Sequence, residues 1–277
     1  MIIVVNIFSS AIRDPRKLFF NILILSIIDW SITSSQKQYS IFSTIEELPL
    51  GASCQNIVTG DFNGNGRYDI ATYRSKYLTV LYTADDSLGW KSSTYRFDKE
   101  ILQVVAGDVN NDGMSDLTIL TANPLSLRVY LGEPNDTLIF KWKSTLEGDS
   151  YNIQVNDING DGKNDILLFG KEITGIVTFL GKGDGTFKSP QNLLPDNSFS
   201  NIAIEDNNKD GLKDVLAINW ISNQVLLYTS YARLKYNLPS TMDFQDEPTR
   251  VLTTEINNDG ITDIAVSFQN GRHITTL

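Results

Sequence analysis

Nine-residue segments dense in side-chain oxygen recur five times along this 277-residue chain. They read DFNGNGRYD (61–69), DVNNDGMSD (108–116), DINGDGKND (157–165), DNNKDGLKD (206–214) and EINNDGITD (255–263). Positions 1, 3, 5 and 9 are Asp61, Asn63, Asn65 and Asp69 in the first segment, and Asp108, Asn110, Asp112 and Asp116 in the second. The third has Asp157, Asn159, Asp161 and Asp165, the fourth Asp206, Asn208, Asp210 and Asp214, and the fifth Glu255, Asn257, Asp259 and Asp263. Every one is a carboxylate or a carboxamide. Hard cations such as Ca²⁺ take about six to eight oxygen ligands. Alternate residues of a tight loop can turn their side chains inward. Position 7 can add a backbone carbonyl, from Arg67, Met114, Lys163, Leu212 or Ile261, and its side chain is then free to vary. Position 6 is Gly in all five segments (Gly66, Gly113, Gly162, Gly211, Gly260), which permits the positive φ of a chain turning back round an ion. The spacing thus predicts up to five structural Ca²⁺ sites. The competing reading is a set of metal-free Asp- and Gly-rich turns, common between strands. The sites are unequal. The first loop has only two carboxylates, because position 5 is Asn65, and the fifth opens on the longer Glu255.

The segments must be held by a repeating element. Their starts are 47, 49, 49 and 49 residues apart. Each is preceded by a short apolar stretch (QNIVTG, LQVVAG, YNIQVN, SNIAIE, TRVLTT) and followed by a second (DIATYR, DLTILT, DILLFG, DVLAIN, DIAVSF). A third follows (YLTVLY, LRVYLG, IVTFLG, QVLLYT, HITTL), and in four repeats a weaker fourth (STYRF, LIFKW, GTFKS, YNLPS). Short runs rich in Val, Ile, Leu, Tyr and Phe, bounded by Gly, Asn and Asp, read as β-strands. Four such strands per repeat of about 49 residues is the size of a propeller blade. The chain has no Gly-Gly doublet, no Trp-Asp and no G-G-x-G, which sets aside kelch, WD40 and RTX repeats. An EF-hand needs Glu at position 12, where this chain has Thr72, Ile119, Leu168, Ala217 and Val266.

The loops at this period resemble the FG-GAP/VCBS repeat, the unit of the integrin α-chain propeller. LGKGDGTF (Leu180 to Phe187) matches the element that closes such a repeat. The resemblance covers about residues 50–277. It implies an all-β fold, a β-propeller with Ca²⁺ in the loop joining the first two strands of each blade, acting as an adhesive, ligand-binding or scaffolding module. The expected domain spans 38–277 in five four-stranded blades. The fifth repeat ends after its third strand, and Tyr39 to Leu48 reads as an orphan fourth strand able to close a five-bladed ring. A fragment of a seven-bladed propeller is the other reading.

Residues 1–37 differ in character. Arg13, Arg16 and Lys17 precede the apolar run Leu18 to Ile28, like a secretory signal or a short anchor. The run is shorter than the roughly 18–20 residues that span a bilayer, and no clean cleavage site follows Asp29 and Trp30. The other reading is an element packed on the domain. Targeting to the exterior, secreted or membrane-anchored, is the expectation, with any membrane contact made through this segment. Asn135-Asp136-Thr137 is the lone N-x-[ST] sequon and a glycosylation candidate at Asn135.

Catalysis is not expected. The chain lacks G-x-S-x-G, H-E-x-x-H and a P-loop. Its one His (His273) lies near the end, and its one Cys (Cys54) excludes an intrachain disulfide and reads as a small buried filler. The count of 23 Lys+Arg against 33 Asp+Glu gives a net charge of −10, which disfavours nucleic acid. Fourteen of the 33 acids sit at ligand positions, and five Ca²⁺ ions would offset the whole net charge. The absence of any basic motif then carries the case against nucleic acid. The expected partner is a protein ligand or an extracellular glycan. Propeller lectins stack sugars on aromatics placed at the repeat period. Trp90, Trp142 and Trp220 keep no common period, and Tyr82, Tyr130 and Tyr228 in the third strands suit the core equally. The lectin reading is thus the alternative to a protein-interaction module, and a purely structural stub is the third.

Overall fold

The computed structural model of the protein describes residues 54, 56–84, 89–148, 151–254, 256, 262–269 and 274–276. The N-terminal segment, the proposed closing strand Tyr39 to Leu48 and His273 lie outside the described residues. The described residues contain strands and no helix, within one compact unit spanning Ser53–Leu277.

Each repeat folds into one antiparallel sheet whose strands pair in chain order. Blade 1 comprises β1 (Asn56–Gly60), β2 (Asp69–Arg74), β3 (Tyr77–Thr83) and β4 (Trp90–Arg96). Blade 2 comprises β5 (Ile101–Gly107), β6 (Asp116–Thr121), β7 (Ser126–Glu133) and β8 (Thr137–Thr145). Blade 3 has β9 (Asn152–Asn156), β10 (Asp165–Phe169), β11 (Ile176–Phe179) and β12 (Gln191–Leu193). Blade 4 has β13 (Asn201–Glu205), β14 (Asp214–Asn219) and β15 (Gln224–Tyr228), then an inserted hairpin of β16 (Ser230–Ala232) and β17 (Lys235–Tyr236), and ends on β18 (Ser240–Asp243). Among the described residues the last sheet has three strands, β19 (Pro248–Thr254), β20 (Asp263–Phe268) and β21 (Ile274–Thr276). This is the all-β arrangement of propeller blades.

The apolar pattern explains why the sheets stack. The second strand of blades 2, 3 and 4 is buried along its whole length, and alternate residues face opposite neighbours, as the pleat requires. Leu117 and Ile119 join the core shared with blade 1, and Leu120 the core shared with blade 3. Ile166 and Leu168 face blade 2, while Leu167 and Phe169 face blade 4. Val215 and Ala217 face blade 3, while Leu216 and Ile218 face the last sheet. A strand sandwiched between two blades is buried on both faces, hence the near-continuous apolar runs of β10 and β14, while β6 interleaves Thr118 and Thr121. The outer strands β4 and β8 are instead part-buried or exposed apart from Leu138. Tyr82 and Tyr228 are buried and Tyr130 packs against the same core as Tyr82, the placement their third-strand positions imply.

Side chains of the first strands also join neighbouring blades. Gln103 accepts the Ile153 N–H at 3.0 Å, Gln154 donates to the Ile202 carbonyl at 2.9 Å, and Asn201 accepts the Val251 N–H at 2.9 Å.

Two fourth strands fall later than the sequence pattern places them. In blade 3 the GTF segment makes a turn, with a single bridge between Gly181 and Phe187. Gly183 and Gly185 both take φ of +78°, and Phe187 is buried against Trp142 of blade 2. The edge strand is therefore β12, beyond it. In blade 4 Tyr236 pairs in the inserted hairpin, and the edge strand is β18. Cys54 is partly exposed rather than a buried filler, because it precedes the first paired residue of β1.

Candidate metal centre

The loops hang from one repeated closing pair. Gly60 opposes Asp69, Gly107 opposes Asp116, Asn156 opposes Asp165, Glu205 opposes Asp214 and Thr254 opposes Asp263. The eight residues between must reverse tightly. Position 6 does so with φ of +79° at Gly66, +88° at Gly113, +79° at Gly162 and +86° at Gly211. Position 4 is also left-handed, at Gly64, Asn111, Gly160 and Lys209. The Gly and Asn there are the residues that tolerate this conformation, a signal the spacing argument did not use. Position 2 is buried in Phe62, Val109 and Ile158, and anchors these three loops on the core.

Positions 1, 3 and 5 turn inward. The position-1 carboxylate accepts the N–H groups of positions 5 and 6 in four loops: Asp61 from Asn65 and Gly66, Asp108 from Asp112 and Gly113, Asp157 from Asp161 and Gly162, Asp206 from Asp210 and Gly211. In three loops the position-3 amide oxygen meets the same N–H as the position-1 carboxylate, so the two oxygens converge. These are Asn63 with Asp61, Asn110 with Asp108 and Asn208 with Asp206. Position 5 accepts the position-7 N–H in the same four loops: Asn65 from Arg67, Asp112 from Met114, Asp161 from Lys163 and Asp210 from Leu212. In the third loop Asn159 is 6% exposed, its Nδ2 donates to Asp165, and its Oδ1 has no donor.

Position 9 has a structural role that spacing did not reveal. Asp69, Asp116, Asp165 and Asp214 are at most 1% exposed. One oxygen of each accepts the position-2 N–H, of Phe62, Val109, Ile158 and Asn207. The other accepts an N–H from within two residues of the end of the third strand: Thr83, Gly132, Gly181 and Ser230. Each carboxylate therefore staples the loop to its own sheet. Asp263 keeps the first of these bonds, from the Ile256 N–H. Two of the four donors are glycines because backbone crowds them. A Cβ at Gly132 would lie 2.4 Å from the Phe62 carbonyl oxygen, and one at Gly181 2.2 Å from that of Asn164.

Burial raises these carboxylates, pushing Asp116 up to about 7 and Asp165 up to about 6. Asp69 and Asp214 rise for the same reason. Backbone N–H groups pull each back, while neighbouring loop acids, such as Asp112 and Asp108 beside Asp116, push it further up. The donor set suits a hard cation. All of its side-chain atoms offered inward are oxygen, and a carboxylate with about four lone-pair sites retains capacity after two N–H bonds. Glu255, Asn257, Asp259, Gly260 and Ile261 of the fifth loop lie outside the described residues. Asn135 sits exposed in the β7–β8 turn, where it accepts the Thr137 hydroxyl. The Trp residues do not line up: Trp142 packs on Phe179 and Phe187, whereas Trp220 lies under the Lys171 ammonium.

Adjacent loops touch in series. Ser115 N–H donates to the Asp61 carbonyl at 2.7 Å, Asn164 Nδ2 to the Asp108 carbonyl at 2.7 Å, and Asn111 Nδ2 to the Gly162 carbonyl at 2.7 Å.

A family model described as FG-GAP-like repeat matches residues 108–168 and 157–217. No curated protein matches the chain. Among solved structures it is similar to an Agrocybe aegerita lectin whose structure concerns recognition of non-reducing terminal N-acetylglucosamine. That likeness is 18% identity over 66% of this chain and 50% of that one, with a TM-score of 0.47. It is also similar to BBS1N in complex with ARL6DN, at 12% identity over 76% of this chain and 60% of that one, with a TM-score of 0.49. The chain spans between half and three fifths of the length of these two structures.

Proposed function

From a chain that carries FG-GAP-like repeats over residues 108–217, we propose a β-propeller module that binds Ca²⁺ in its inter-strand loops and a macromolecular partner on its surface, without catalysis. The observation that carries the metal reading is Asn159 Oδ1. It is a buried acceptor without a donor, between Asp157 and Asp161 at a position the spacing assigns to a ligand. A buried polar atom left unpaired costs about 1–3 kcal/mol, which a cation would remove. The clustered charge of each loop points the same way, since buried carboxylates need a counter-charge. The ion would be held by Asp157, Asn159, Asp161, the Lys163 carbonyl and Asp165, and by the equivalent residues elsewhere. Bound Ca²⁺ supplies charge compensation and bracing of the loop.

The test is isothermal titration of chelator-treated protein with calcium chloride. Asp161→Ala should remove one site from the stoichiometry and leave the rest. Unchanged stoichiometry and affinity in that variant would refute the ligand assignment.

The partner face is the one on which the loops open. The inserted β16–β17 hairpin stands there, since Ser230 bonds Asp214 and Arg233 reaches the Gly160 carbonyl at 3.4 Å. Tyr231 is 62% exposed, and Leu238, just after the hairpin, 94% exposed. Exposed apolar side chains of this kind favour a protein surface. A glycan array probed with calcium-loaded protein discriminates the partner classes. No specific sugar binding is expected, and binding lost in Tyr231→Ser would assign a glycan instead. Export from the cell, by way of residues 1–37, is the compartment in which millimolar calcium would keep such loops filled.

A further inference from the structure

We propose that Asp136, a residue of blade 2, positions Asn63 for metal binding in the loop of blade 1. This rests on the calcium reading above. In blades 2 and 4 the position-3 amide is oriented from within its own loop. Asn110 Nδ2 donates to Asp112 Oδ2 at 2.7 Å, and Asn208 Nδ2 to Asp210 Oδ2 at 2.9 Å. With Nδ2 engaged, Oδ1 is left facing the loop interior, where it accepts the position-5 N–H.

Blade 1 cannot make that bond. Its position 5 is Asn65, whose Oδ1 accepts the Arg67 N–H and whose Nδ2 donates to the Thr83 carbonyl. There is no second carboxylate oxygen to offer. Asn63 Nδ2 donates instead to Asp136 Oδ1 at 2.7 Å, across 73 residues of chain. Asn63 is 7% exposed, so water has little access to replace that acceptor. Its Oδ1 then meets the Asn65 N–H at 3.2 Å, as in the second loop. Asp136 is itself fixed. It sits at φ of 60° in the β7–β8 turn, and its other oxygen accepts Lys91 Nζ of blade 1 at 2.9 Å. Asp136 performs for blade 1 the task that position 5 performs in blades 2 and 4, and it also brings a negative charge to the loop with one carboxylate fewer. Occupancy of the first loop thereby depends on the contact between blades 1 and 2.

The experiment follows calcium titration of the full chain through the amide resonances of Gly66, Gly162 and Gly211. Each of these N–H groups bonds the position-1 carboxylate of its own loop. Removing a group that orients a metal ligand costs about tenfold or more in affinity. Asp136→Ala should therefore raise the calcium midpoint at Gly66 about tenfold and leave those at Gly162 and Gly211 in place. Asp136→Asn retains an acceptor for Asn63 and should recover most of that loss. Adding Asn65→Asp to Asp136→Ala should recover it too, by restoring an in-loop carboxylate. An unchanged Gly66 midpoint in Asp136→Ala overturns the proposal, as does a rise shared by all three glycines. An Asp136→Asn midpoint as weak as that of Asp136→Ala overturns positioning in favour of bare charge. Wild-type glycines that ignore calcium altogether would instead overturn the metal reading on which the proposal stands.

Discussion

Replacing Asp116 with alanine will destabilise the protein whether or not calcium is present. The change strips the acceptor from two backbone N–H groups, those of Val109 and Gly132, in a place where Asp116 is 1% exposed. A buried donor left without a partner costs about 1–3 kcal/mol, so the pair costs roughly 2–6 kcal/mol. That is a large part of the roughly 5–15 kcal/mol that holds a domain folded. Asp112→Ala in the same loop is the control. Asp112 is exposed and accepts the Met114 N–H and the Asn110 amide within the loop itself. Its loss should cost little in chelator and should matter only when calcium is supplied. Urea denaturation of both variants, with chelator and with calcium, checks this. Equal stability of Asp116→Ala and wild type in chelator would mean that the staple holds nothing.

Calcium itself should move the melting temperature by the second large effect. An ion that binds only the folded chain stabilises by RT ln(1 + [L]/Kd), about 2.7 kcal/mol per site at a hundredfold excess over Kd. Sites in blades 1 to 4 would then add about 10 kcal/mol together. For a chain of this size each kcal/mol is about 2–4 °C. Melting in calcium should occur tens of degrees above melting in chelator, and magnesium, smaller and reluctant to lose water, should replace calcium poorly. Superimposable melting curves across a calcium series would refute metal binding in these loops.

The repeat made the architecture legible. Period, strand length and the glycine at position 6 all describe features that lie within one repeat and need no neighbour to be seen. The second strands β6, β10 and β14 were visible too, as short apolar stretches after each loop. Legibility failed where one repeat touches another or departs from its siblings. Phe187 reads as edge-strand material, but a buried slot beside Trp142 claims it. Tyr236 likewise belongs to a hairpin that, among the described residues, only blade 4 contains. Position 9 reads as one more ligand because its residue type says oxygen. Its role as a staple depends on N–H donors about 16 residues downstream in blades 2, 3 and 4, and a backbone donor leaves no trace in residue type. Gly132 and Gly181 were the available hint, as glycines at one point in successive repeats. Asp136 was singled out only as the middle of a sequon, since a contact across 73 residues has no local signature.

The amide links between first strands bear on how the chain reaches its folded state. Every sheet pairs strands in chain order, with only the inserted hairpin separating β15 from β18, so the pairings of a blade close short loops and can form as soon as its own segment is available. The links from Gln103 to Ile153, Gln154 to Ile202 and Asn201 to Val251 span 50, 48 and 50 residues. They can form only after two blades exist. Assembly is then close to one-dimensional, with each finished blade serving as the template on which the next one condenses. During synthesis each new blade then meets an apolar face already in place, and a translational pause near a repeat boundary would leave a stack that can resume growth.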